Sequence, residues 1–254
     1  MQVLDIETTA TTAPAATLDA APAARFDCYA GIHKALRLCL SRTLVRVGSA
    51  DPSDEAEVAQ AVQAVHALLD LSEDHMAKED AFMHPLLEQA QPGSTAAAMD
   101  DHLAHEAAIE QLRALADAAA AAGPQQRARA LSMLYAALAG YVAKDLRHMQ
   151  HEETVHNALL WARYSDAELQ AVEGRIVASI PPHKAMALLP WFMPALNAPE
   201  RLKMLAGMRA MAPAPAFEAA LGIARDVLSQ VDFGKLAAQL GVAPMPGLVT
   251  APRS

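Results

Sequence analysis

The sequence predicts an all-α protein: an up-down-up-down four-helix bundle followed by an extension of short helices. Three observations carry that expectation. Hydrophobic residues make up 53% of the 254-residue chain but aromatics only 4%, so the apolar content is mostly Ala, Leu, Val and Met. Ala and Leu are the best helix formers, and the residues that favour strands are scarce. Four long segments of helical texture are separated by short stops, and the texture changes after Tyr164.

The first helix is expected from about Arg25 to Val47, with Leu36, Leu38, Leu40, Leu44 and Val45 as its apolar content. Asp51-Pro52-Ser53-Asp54 is a break and a new start, because Ser and Asp cap helices and Pro fits a first turn. The second helix is expected from about Asp54 to Gln91, where Pro92-Gly93 stops it. Ser94 opens the third, which ends at an alanine run and Gly123-Pro124, and the fourth covers about Gln125 to Arg163. Connections this short force neighbours to be antiparallel. Ser165-Asp166-Ala167-Glu168 matches a capping box and opens a further helix. Pro181-Pro182, Pro190, Pro194, Pro199, Pro213 and Pro215 are expected to chop the remainder into short helices, to about Gly241. Its methionines read as core filler packed on the bundle. The expected organisation is a disordered Ala/Thr/Pro tail over 1–24, the bundle over 25–164, the helical extension over 165–242 and a flexible tail over 243–254.

Composition also excludes partners. The formal net charge is −9, and the 20 basic residues form no stripe that would track phosphates, so nucleic acid is not an expected partner. No apolar run reaches membrane-spanning length without a charge or a proline. Cys28 and Cys39, on one expected helix, would lie about 16 Å apart, too far for a disulfide. With no signal-peptide pattern at the N-terminus, the expected location is the cytoplasm.

Ten histidines are many for this chain, and their placement matters more than their number. Helix two contains His75-Met-Ala-Lys-Glu79-Asp80, and helix four contains His148-Met-Gln-His-Glu152-Glu153. Each is a histidine, then a glutamate four residues on, then a second acid. Helices one and three each carry a single candidate, His33 in GIHKAL and His102 in DDHLAH. The chain thus repeats one plan twice. Residues four apart share a helix face, so each His–Glu pair can reach a common point. Carboxylates bridging two metals, with imidazoles completing each ion, form a known bundle-core pattern. Mixed imidazole and carboxylate ligation suits iron or manganese better than calcium or structural zinc, and six protein ligands leave positions open for water, oxide or a diatomic gas.

GIHKAL, HMAKEDAFMHPLL, DDHLAHEAAIEQL and HMQHEETVHNALLW resemble the hemerythrin-type cation-binding (HHE) domain over about Phe26 to Trp161. The resemblance implies a hemerythrin-like bundle whose metal ligands fall on His33, His75, Glu79, His102, His148 and Glu152. It implies a cofactor of two iron ions, or an iron–manganese pair, bridged by carboxylates and by oxo or hydroxo. Within the family, four histidines with two glutamates resemble the iron-centre-repair and regulatory proteins. The oxygen carriers instead have HxxxH in helix three and an Asp closing helix four; here His102 and His105 are three apart.

The remaining histidines and two tyrosines have expected places of their own. His105 and His151 lie three residues after assigned ligands, as alternative ligands or hydrogen-bond donors to them. His156, one turn after Glu152, would line a channel. Tyr29 and Tyr141 lie one and two turns before ligands, either hydrogen-bonded to a ligand or a bound oxygen species, or simply core. His84 and His66, each nine residues from His75, are half a turn out of phase and read as packing or surface. His183 lies outside the bundle. The expected function is to bind or sense dioxygen or nitric oxide, or to handle iron, in oxidative or nitrosative stress; the alternative is a di-iron oxidoreductase activating dioxygen or peroxide on a small substrate. Besides the diatomic ligand, the expected partner is a second copy of the chain in a homodimer.

Overall fold

The first helix starts later than its periodicity suggests, because Asp27 intercepts the backbone: its Oδ1 accepts the N–H groups of Tyr29 (2.8 Å) and Ala30 (3.1 Å). In a computed structural model that describes residues 25–243, α1 therefore spans Ala30–Ser49. Asp54 caps α2 (Glu55–Lys78), accepting from the N–H of Ala56 and Glu57. The helix does not stop there. A single π turn, Glu79–Met83, leads without a break into α3 (His84–Ala90). After the Pro92-Gly93 turn, with Gly93 at φ 83°, come α4 (Ala96–Ala121) and α5 (Pro124–His151). A second π turn, Glu152–His156, joins α5 to α6 (Asn157–Arg163).

The chain thus forms the expected up-down-up-down bundle, with no strand among the described residues. One apolar core, including Leu36, Leu40, Leu68, Leu112, Leu134 and Leu138, fills its length. At the far end Arg127 is buried and holds the loops together, donating to the carbonyls of Ala122 and Pro52 and to Glu55. Val45, expected among the apolar content of α1, is 68% exposed.

Ser165 and Glu168 form the capping box that starts α7 (Asp166–Ala178). Leu169 and Val172 of α7 close over Tyr29, Met83, Leu87 and Leu160, a second apolar cluster at the near end of the bundle. Arg25 fastens this closure, donating to Asp166 and to the carbonyls of Trp161 and Tyr164. Then follow α8 (Pro182–Ala195), α9 (Ala198–Met211), α10 (Ala214–Val227) and α11 (Gln230–Leu240), the last ended by Gly241 at φ 67°. Pro182, Pro199 and Pro215 do open helices, but Pro190 and Pro194 lie inside α8 without breaking it. Packing outweighs the lost hydrogen bonds, because α8 is covered on two sides. Leu188 and Trp191 pack on the bundle core, while Leu189 and Met193 join a third cluster with Leu205, Phe217 and Phe233. The extension therefore has a core of its own. No helix among the described residues is long and apolar enough to cross a membrane. The expected tails lie outside the described residues, apart from Ala243.

Candidate metal centre

Antiparallel packing brings the N-terminal turns of α1 and α4 beside the C-terminal ends of α2 and α5, between the long core and the α7 closure. His33, His75, Glu79, His102, His148 and Glu152 all meet there, and all are buried. They fall into two groups that share both glutamates: His33, His75, Glu79 and Glu152, and then Glu79, His102, His148 and Glu152. Within each group the four ligand atoms lie within 4.8 Å of one another.

Glu79 faces both groups at once. Its Oε1 lies 3.0 Å from His75 Nε2 and 3.6 Å from His33 Nε2, and its Oε2 lies 3.5 Å from His102 Nε2. Glu152 Oε2 is 3.4 Å from His33 Nε2 and 3.5 Å from His148 Nε2. The outer nitrogens are held by further carboxylates. His33 Nδ1 is 3.0 Å from Glu153, His102 Nδ1 is 2.9 Å from Asp80, and His148 Nδ1 is 3.3 Å from Asp101. A carboxylate acceptor fixes the proton on Nδ1 and leaves the Nε2 lone pair facing inward, which is how a metal-binding imidazole is oriented.

Polar atoms inside the chamber are left unpartnered. Both oxygens of Glu79 and of Glu152, and Nε2 of His33 and His75, are buried without a hydrogen-bond partner. His102 Nε2 and His148 Nε2 are only 3.1 Å apart. Burial, together with the charge of Glu79, pushes the Glu152 carboxyl up to about 8. Burial opposes the charge on His33 as well, but Glu152, Glu153 and Glu79 outweigh it and raise its pKa well above the ordinary histidine range. Leaving buried carboxylates and lone pairs unmatched costs several kcal/mol, so the donor set fits shared cations. Imidazole nitrogens with carboxylate oxygens suit a first-row transition ion such as iron.

Around this chamber the other expected residues divide. Tyr29 is buried, with its hydroxyl 3.5 Å from His156 Nδ1 and its ring 5.2 Å from that of His33. His156 is buried against Glu152, at 4.0 Å. His105 and Tyr141 lie one layer deeper, their rings 5.4 Å apart, and the His105 ring is 5.2 Å from that of His148. His151 is only partly buried and reaches the His156 ring at 5.1 Å. His66 pairs with exposed Asp117, and His183 is exposed.

Of the two places expected for His84, packing and surface, the structure shows packing. Half a turn out of phase on a 3.6-residue helix, this residue is nevertheless buried, 2.9 Å from Asp80 and stacked 5.2 Å from the His102 ring. The π turn is the cause: the His84 N–H bonds to the Glu79 carbonyl five residues back, and the extra residue resets the face by about 100°. Residue reasoning also left Asp80, Glu153, Asp101 and Asp145 without roles. The signal for the first two was present, because an acid follows the glutamate in both halves of the repeat. Asp145 is buried beside the candidate histidines, one oxygen unpartnered, and burial pushes its carboxyl up to about 6.

An antiparallel helical bundle with a buried imidazole-and-carboxylate chamber defines a cation-binding class of protein. Residues 29–160, just over half of the chain, match the model of the hemerythrin HHE cation binding domain. The chain belongs to this family. No curated protein and no solved structure matches it.

Proposed function

We propose that the chain holds two iron ions, or an iron–manganese pair, and uses them to bind or sense dioxygen or nitric oxide, or to handle iron, in the cytoplasm under oxidative or nitrosative stress. His33 and His75 would complete one ion and His102 and His148 the other, with Glu79 and Glu152 shared. The observation that carries this reading is that each glutamate belongs to both four-residue groups. Such a pair supplies redox chemistry and open positions for a small ligand. The protein's own part is to orient the imidazoles through Glu153, Asp80 and Asp101 and to exclude water with the Leu169 and Val172 cover. A diatomic ligand is favoured over an organic substrate because Tyr29, Met83 and Leu160 pack together over the chamber.

The test is metal analysis with optical spectra under argon, air and nitric oxide. About two ions per chain are expected, with near-ultraviolet absorption in air and a distinct spectrum with nitric oxide. A content that stays at or below about one ion after reconstitution would sink the reading.

A further inference from the structure

The two halves of the bundle repeat each other inside the chamber but not outside it. Glu153 follows Glu152 and holds His33 Nδ1; Asp80 follows Glu79 and holds His102 Nδ1. Beyond Glu153 the first half places Arg37, whose Nη1 and Nη2 donate to both carboxylate oxygens, the latter at 2.9 Å. Arg37 follows His33 at the spacing by which Glu106 follows His102. The second half therefore has an acid where the first has a guanidinium. The other exchange is of the same kind: the buried residue matching Asn157 after the π turn is His84.

These exchanges line a cleft of about 480 Å³, bordered by Asp80, His84, Glu88, Thr95, His102 and Glu106. Three carboxylates face it, and no lysine or arginine does. Glu88 stays ionised, its carboxyl lowered to about 2 by hydrogen bonds from Thr95 and from the Gly93 N–H. Asp80, His84 and His102 each bring a ligand atom to one point, within 4.8 Å. His84 is buried and borders the cleft, its Nδ1 2.9 Å from Asp80, so the cleft offers an imidazole beside its carboxylates and holds more than an acidic surface. His102 forms the wall: Nδ1 meets Asp80 on the cleft side, and Nε2 meets Glu79 and His148 inside.

We propose that this cleft is an intake site for a divalent cation, in which Asp80, His84 and Glu106 take ferrous iron from solvent and pass it by His102 into the chamber. The proposal rests on the two-ion reading of that chamber. In the first half, Arg37 occupies the corresponding outer position and closes it to a second cation.

The test uses the full-length metal-free protein, mixed anaerobically with ferrous iron, with unbound iron read by a chromogenic chelator over time. Glu106→Arg and His84→Asn install the residues of the closed half. Each should slow loading by about tenfold or more, the size of a local steering effect, while reaching the wild-type final content. Glu110→Arg makes the same charge change one turn further along α4 and should load at the wild-type rate. Wild-type rates in both cleft variants would overturn the intake site, as would equal slowing by Glu110→Arg. A wild-type protein that never retains about two ions would remove the underlying two-ion reading, and the intake site with it; that result is seen without any variant.

Discussion

Glu152 is the residue at which proton and cation compete most directly. Burial and the Glu79 charge hold its carboxyl near 8, against an ordinary 4.5, so in the metal-free protein it carries a proton at pH 7. A raised folded-state value favours the metal-free fold at low pH, and that contribution is lost as pH rises through about 8. Cation binding runs the other way, because it must expel the proton. Apparent affinity should therefore climb with pH through about 8, with proton release at pH 7 visible as a buffer-dependent heat in calorimetry. Glu152→Gln should reduce that release, the remainder coming from His33, and lower the metal content; an unchanged heat in wild type across buffers would contradict the assignment. Glu79→Ala should be harsher, since it strips a ligand from both groups and leaves four imidazoles facing one another. A loss of metal together with about 2–4 kcal/mol of stability in the loaded state, by thermal or denaturant unfolding, is the expected outcome.

At the scale of the element, the π turns decide what the sequence could reveal. The six candidate ligands were legible because His75–Glu79 and His148–Glu152 each span a single α-helical turn ahead of the irregularity. Beyond each π turn the 3.6-residue rule no longer applies, and so the spacing leaves His84 open between packing and surface and apart from the His75 face. Nothing in its nine-residue spacing from His75 shows that one extra residue is taken up between them. The same blindness affected the proline-bearing α8, where burial on two faces sustains a helix that local propensity opposes. Deleting Ala81 should convert the first π turn to regular helix and leave α3 facing as it does now, because the turn takes up one extra residue. His84 and Leu87 would keep their buried positions, so the variant should stay folded and melt close to wild type, with any effect confined to cation retention beside Glu79. A large loss of melting temperature would show that the turn does more than take up one residue.

At the scale of the molecule, the polar chamber lies between two apolar bodies, the long bundle core and the cluster formed with Leu169 and Val172 of α7. Truncation after Arg163 should leave a helical, cation-binding bundle, since every candidate ligand precedes that point. It should nevertheless release iron faster than the full chain, because Tyr29, Leu87 and Leu160 lose their cover. Equal release rates in a chelator chase would instead assign the extension to partner binding or dimerisation. The layering also makes the protein's rigidity conditional. When the cations leave, a slab of polar side chains with unpartnered carboxylate and imidazole atoms separates the two greasy halves, and only the helix backbones cross it. The near end should then breathe while the far end, laced by Arg127, stays closed. Amide hydrogen exchange in the metal-free protein would appear as a gradient along each helix, fast beyond Glu79 and Glu152 and slow toward the 50–54 turn, and loading should flatten it.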